Sequence, residues 1–77
     1  MNITIKYFGQ LAEVTNCEEE TIPFSGHLIS EVIELLNLKY SELKNKDFQV
    51  AQNHELVSIE TKVTGNEIAL LPPFAGG

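Results

Sequence analysis

Ile3, Ile5 and Tyr7 alternate with Thr4, Lys6 and Phe8 near the start of the chain. That period of two predicts a strand over Asn2–Phe8 with two unlike faces, ended by Gly9. Gln10–Thr15 has room for one short helical turn, with Leu11 and Val14 directed inward and Asn16 as its stop. A second strand is expected over Glu18–Ile22, closed by Pro23 and close enough in sequence to pair with the first as a hairpin with a long connection. The period then changes. Leu28, Val32, Leu35 and Leu36 fall at helical spacing, Ile29 and Ile33 broaden the stripe, and Ser30, Glu31 and Glu34 stand mostly outside it. This predicts a helix over His27–Leu38, with Ser25 or Ser30 as N-cap and no capping box behind either.

Tyr40–Lys46 is polar apart from Leu43 and reads as an irregular return or one extra turn. Phe48, Val50 and Gln52 alternate with Gln49 and Ala51 in a short strand before an Asn53-His54 turn, and Glu55–Ile59 continues as another. After the turn signal Thr64-Gly65-Asn66, the run Glu67–Leu71 is nearly all apolar and predicts a strand buried on both faces. Pro72-Pro73 ends it. The order is strand, strand, helix, then two or three strands. One mixed sheet with one main helix packed across it satisfies that order, the helix serving as the crossover that parallel strands require. Setting the first and last strands side by side explains why the last is so apolar. The result is an α+β chain: a domain over 1–73 and a projecting, mobile tail over 74–77, too small to pack.

Composition narrows the chemistry. Eleven acidic against five basic residues give a net charge of −6, which repels nucleic-acid phosphates and anionic lipid and suits docking on a basic protein surface. It also makes the chain a poor holder of an anionic small molecule. No apolar run approaches the roughly 20 residues that span a bilayer, and the alternating start is unlike a signal peptide, so a cytoplasmic location with no membrane partner is expected. Cys17 is the one cysteine, which excludes an internal disulfide. It precedes Glu18-Glu19-Glu20, a negative run that opposes a reactive thiolate. His27 and His54 are isolated, no Cys/His spacing suits a metal, and no phosphate loop or nucleophile elbow is present. The chain alone is not expected to be catalytic or to bind a cofactor.

Chemistry is instead concentrated at the end. Gly76-Gly77 carries no side chains to obstruct a narrow channel, so the carboxylate of Gly77 can be threaded into another protein's active site. A carboxylate is a poor electrophile and needs activation, for instance as an acyl-adenylate that sulfur can then displace.

Gly65–Gly77, with its turn, apolar strand, Pro-Pro and Gly-Gly, resembles the closing segment of the molybdopterin synthase small subunit family, which is ubiquitin-like. Lys6–Glu13 resembles that family's opening strand and turn, and Asn53–Val57 its central asparagine turn. The resemblance implies the β-grasp fold and a sulfur carrier within a heterotetrameric synthase. In that reading an adenylyltransferase consumes ATP to activate Gly77, a sulfur donor protein converts it to a thiocarboxylate, and the large catalytic subunit applies that sulfur to cyclic pyranopterin monophosphate. Gly77 is then the covalent site, Gly76 the slim approach, Pro72 and Pro73 the stiff base of the arm, and Phe8, Leu71 and Phe74 the apolar partner surface. The sequence departs from the family at Ala12, where arginine is common, at Leu70-Leu71, where an aromatic pair is common, and at Phe74, where a smaller aliphatic residue is common. A carrier for thiamine or another sulfur metabolite, and a protein modifier, share the same terminus.

Overall fold

The computed structural model describes residues 1–73. Five strands, β1 (Asn2–Tyr7), β2 (Glu19–Pro23), β3 (Gln49–Gln52), β4 (Glu55–Val57) and β5 (Glu67–Leu71), form one sheet in the order β2-β1-β5-β3-β4. β1 pairs with β2 antiparallel, Ile3 opposite Ile22, and with β5 parallel, Ile5 beside Ile68. β3 joins β5 and β4 antiparallel. First and last strands are therefore central neighbours, and the main helix α2 (Ile29–Lys39) is the crossover, as the order of elements requires.

The alternation in β1 sends Ile3, Ile5 and Tyr7 into the core, where they meet Ile68 and Leu70 of β5, Ile22 of β2 and Ile29, Val32 and Leu36 of α2. Leu11 from the short helix α1 (Gln10–Thr15) and Leu43 from a 3₁₀ turn at Ser41–Asn45 complete the core where these two short elements meet. Each such large apolar side chain contributes about 1.5–3 kcal/mol by leaving water. Gln52 is the informative exception. Its side chain is buried, yet its amide donates to the Lys62 carbonyl at 3.1 Å and its oxygen accepts from the N–H of Thr64 at 2.9 Å, fastening the loop before β5.

Several boundaries and faces differ from the sequence expectation. Phe8 falls just beyond β1, and β2 runs one residue later, with Pro23 inside it on the outer edge where no ladder donor is needed. In α1 the inward position after Leu11 belongs to Thr15, whose hydroxyl donates back to the Leu11 carbonyl at 3.0 Å, while Val14 is only partly buried. β4 stops at Val57 because the chain then turns toward α2. Neither serine caps that helix. Leu28 is the N-cap, the Glu31 carboxylate accepts from the N–H groups of His27 and Leu28 at 2.9 Å each, and the N–H groups of Ile29 and Ser30 donate to the carbonyls of Thr61 and Ile59. Free donors at the helix start are thus met by its own first turn and by a distant loop. Leu35, expected on the apolar stripe, is 41% exposed.

Candidate functional site

β5 was expected to be buried on both faces, and it is deeply buried on one. Ile68 and Leu70 are inaccessible, whereas Glu67, Ala69 and Leu71 are partly open on the face away from α2. Register explains the shape of that outer face. Lys6, Ala69, Ala51 and Leu56 lie in one row across β1, β5, β3 and β4. Two neighbouring alanines leave a dip between larger side chains. The dip holds about 230 Å³ and is lined by Phe8 and Leu71 with Ala51 and Ala69, and by Lys6, Glu67, Asn53 and His54. Phe8 is 45% exposed although large and aromatic.

Charge forms one rim. The Glu67 carboxylate stands 3.4 Å from Lys6 Nζ and 3.8 Å from His54 Nε2. His54 occupies the second position of a two-residue hairpin whose φ values, 52° at Asn53 and 71° at His54, are both left-handed. Such a turn matches the twist of its flanking strands. His54 is thereby held at the mouth of the dip instead of in the isolation its sequence context suggests.

The chain leaves the sheet beside this surface. Phe8 N–H donates to the Leu70 carbonyl at 3.1 Å, and Gly9 takes φ 59° and ψ −134°, a conformation nearly restricted to glycine. A side chain there would also collide with Pro72, because a Cβ on Gly9 would lie 2.7 Å from Pro72 Cγ. Pro72 is accordingly seated on the turn after β1, and Pro72 and Pro73 border a recess of about 620 Å³ with Gln10, Asn45, Lys46 and Asp47. Of the residues singled out by sequence, Phe8 and Leu71 come together on the outer face, and Pro72 is fixed at its margin with Pro73 exposed beside it. Phe74, Gly76 and Gly77, and with them the expected mobile tail, lie outside the described residues. Ala51, Ala69, Lys6, Glu67 and His54 escaped the sequence reading. The period of two along β3 and β5 was the signal that could have found them.

On the helix side, Glu20 gathers a second group. Its carboxylate accepts from the hydroxyls of Tyr7 at 2.6 Å and Tyr40 at 2.5 Å and pairs with Lys39. The two rings meet edge to face, centroids 6.1 Å apart. Burial opposes the Glu20 charge, but hydrogen bonds from Lys39, Tyr40 and Tyr7 outweigh it and hold the carboxyl below its ordinary value. Burial, reinforced by Glu20, pushes both phenols up. A carboxyl that is more acidic folded than unfolded contributes stability that is present above the unfolded value near 4.5 and lost as pH falls through the folded one. The phenols add an alkaline limb, since stability falls once the unfolded tyrosines ionise above 10.0 while the folded ones stay neutral. Glu20→Gln should flatten the acid limb and lower stability at neutral pH by roughly 1–3 kcal/mol. Urea unfolding across the acid range checks this, and an unchanged acid limb would count against it.

Cys17 is half-buried, its sulfur 3.7 Å from the Thr15 hydroxyl and 3.9 Å from that of Tyr40. Among the described residues no three metal-ligating side chains cluster, and no helix is long and apolar enough to cross a membrane.

Comparison with known proteins agrees with this geometry. The chain superposes on a Pyrococcus furiosus protein described as molybdopterin converting factor subunit 1, with a TM-score of 0.88 at 21% identity over 96% of this chain and 99% of the other. It superposes on SAMP1 of Haloferax volcanii at a TM-score of 0.82 and 22% identity, both chains covered in full. A third match, at 25% identity and a TM-score of 0.68 over the whole of both chains, is in a complex of subunits 1 and 2 of the molybdopterin-converting factor from Helicobacter pylori. The architecture is the β-grasp of ubiquitin-like proteins. Since the profile of the ThiS family matches residues 5–77, nearly the whole sequence, the chain belongs to the ThiS family of ubiquitin-like sulfur carriers.

Proposed function

We propose that this chain is the sulfur-carrying subunit of a molybdopterin synthase, with the carboxyl group of Gly77 as the point of attachment. The observation that carries the reading is the adjacency of Pro72, seated on Gly9, to the exposed apolar dip formed by Phe8, Leu71 and the two alanines. A partner that covers the dip lies next to the place where the chain leaves the domain. Docking and delivery are thereby coupled. An exposed Phe8 at the edge of a shallow apolar dip suits such a use. The Helicobacter pylori protein, similar over its full length, is found in a two-subunit complex, which supports a large-subunit partner here.

In the proposed sequence an adenylyltransferase joins the Gly77 carboxylate to the AMP portion of ATP, releasing pyrophosphate. Sulfur at the sulfide level, released by a donor protein, displaces AMP and leaves a thiocarboxylate. Its sulfur then attacks cyclic pyranopterin monophosphate held by the large subunit, and hydrolysis of the acyl–sulfur bond returns the carboxylate to this chain. Two carriers are consumed for each dithiolene. Phe74 extends the apolar contact, and Gly76 passes the channel.

The likeness to SAMP1, a protein named as a modifier, favours a second reading in which Gly77 ends in an isopeptide bond with a lysine. Intact mass of the protein from its host separates the two: an oxygen-to-sulfur increase supports the carrier, and covalent adducts with other proteins support the modifier. Cys17→Ala should leave the thiocarboxylate yield near wild type, because the sulfur of Cys17 is half-buried against Thr15 and Tyr40. Loss of the thiocarboxylate in a folded Cys17→Ala protein would move the sulfur from Gly77 to Cys17.

A further inference from the structure

The helix side of the molecule carries a groove separate from the dip. By burying Ile29, Val32 and Leu36, α2 turns Glu31, Glu34, Leu35 and Leu38 outward along one stripe. Leu38 is 82% exposed, an uncommon position for leucine on a helix with a well-formed core face. These four residues and the segment Pro23–Gly26 line a groove of about 360 Å³. Its shape is built in. Gly26 approaches so closely that a Cβ there would lie 2.7 Å from Glu31 Oε2 and 2.8 Å from Phe24 Cζ, and Glu31 holds the backbone of His27 and Leu28.

Charge decides what fits. Two carboxylates line the groove and no lysine or arginine does. Hydrogen bonds from the His27 and Leu28 backbone keep Glu31 ionised to lower pH than usual. Lys39, the nearest cation along the helix, is engaged by Glu20. An occupant must therefore bring apolar side chains for Leu35 and Leu38 and positive charge for Glu31 and Glu34. A second copy of this chain brings the same carboxylates and a net charge of −6, and anionic lipid is repelled for the same reason.

We propose that the groove between α2 and the Pro23–Gly26 segment is a docking site for a cationic amphipathic helix of a protein partner, distinct from the surface that surrounds Pro72. Its apolar side chains at helical spacing enter beside Leu35 and Leu38, and its lysines or arginines face Glu31 and Glu34. The two surfaces are separate, so a partner in the groove leaves the dip free. The carrier can then be retained by one contact while its terminus is engaged through the other. This does not depend on the chemistry at Gly77.

The test is an NMR titration of the isotopically labelled full chain with a synthetic helical peptide carrying leucine along one stripe and lysine elsewhere. Amide shifts should concentrate at Phe24–Gly26 and Glu31–Leu38, and added salt should weaken binding. Leu38→Ser, at an exposed position that spares the fold, and Glu34→Lys should each weaken binding roughly tenfold. A peptide with glutamate in place of lysine should not bind. Shifts centred on Phe8, Ala69 and Leu71 would overturn the proposal, as would binding indifferent to Leu38→Ser, or none at all. Sedimentation of the protein alone supplies one more outcome: self-association abolished by Leu38→Ser would assign the groove to a second copy and overturn it equally.

Discussion

Adding one residue after Gly77, or making Gly76→Trp, is expected to abolish sulfur transfer while leaving thermal unfolding near that of the parent protein. The two halves have separate causes. Under the proposed function, an extension would replace the carboxyl group that is to be activated on Gly77 by a peptide bond, and an indole at position 76 would obstruct the channel that glycine is proposed to pass. Among the described residues the buried core runs from Ile3 to Leu70, and both changes fall outside that span in sequence. Adenylation, thiocarboxylate mass and pterin sulfuration should be measured separately, because a displacement of about 1 Å suffices to impair an oriented reaction. The extension should stop the first step and all that follow. Gly76→Trp should act wherever the terminus enters a partner's site, so loss at only one step identifies the partner that admits the terminus least readily. Wild-type output from an untrimmed extended chain would remove Gly77 from the mechanism.

Gly9→Val is expected to be the costliest single change outside the core, at roughly 2–6 kcal/mol. Its φ of 59° and ψ of −134° put a branched residue where about 1–3 kcal/mol of backbone strain is unavoidable. The added Cβ also meets Pro72 at 2.7 Å, and such overpacking costs about as much again. Function should suffer further, because relief of the collision displaces Pro72 and with it the direction in which the chain departs. Pairing Gly9→Val with Pro72→Ala separates the contributions. The second change removes the atom that is struck, so stability should return in part while the backbone strain remains. Denaturant unfolding of the three variants measures this cycle. If Gly9→Val alone is as stable as the parent, the seat of Pro72 on Gly9 is not what fixes the departure.

Local pattern accounted for most of the architecture. Ile3, Ile5 and Tyr7 announced a strand by simple alternation, Glu67–Leu71 by its apolar run, and Val32 and Leu36 announced the helix between them. Misreadings arose where a distant segment decides the outcome. Leu28 is a poor N-cap by chemistry, and it serves because carbonyls at Ile59 and Thr61, some thirty residues along, receive the donors that a serine would otherwise have satisfied. The link from Tyr7 and Tyr40 through Glu20 joins residues far apart in sequence and leaves no periodic trace. At the candidate site, Phe8 and Leu71 were legible as apolar residues beside a strand end. The dip between them was not, because Ala69 and Ala51 matter there for the volume they leave unfilled, and that is evident only once β3 and β5 are in register.

The central position of β5 has a consequence during synthesis. β5, the last of the described strands to be made, joins β1 to β3, so the earlier elements emerge from the ribosome as two hairpins, β2-β1 and β3-β4, whose inner backbone edges stay unpaired until it arrives. Pairings this remote form late and leave such edges transiently open. The strand that closes the sheet also leads directly into Pro72. A chain that has not yet made β5 therefore lacks the closed sheet and the seat of Pro72 on Gly9 together.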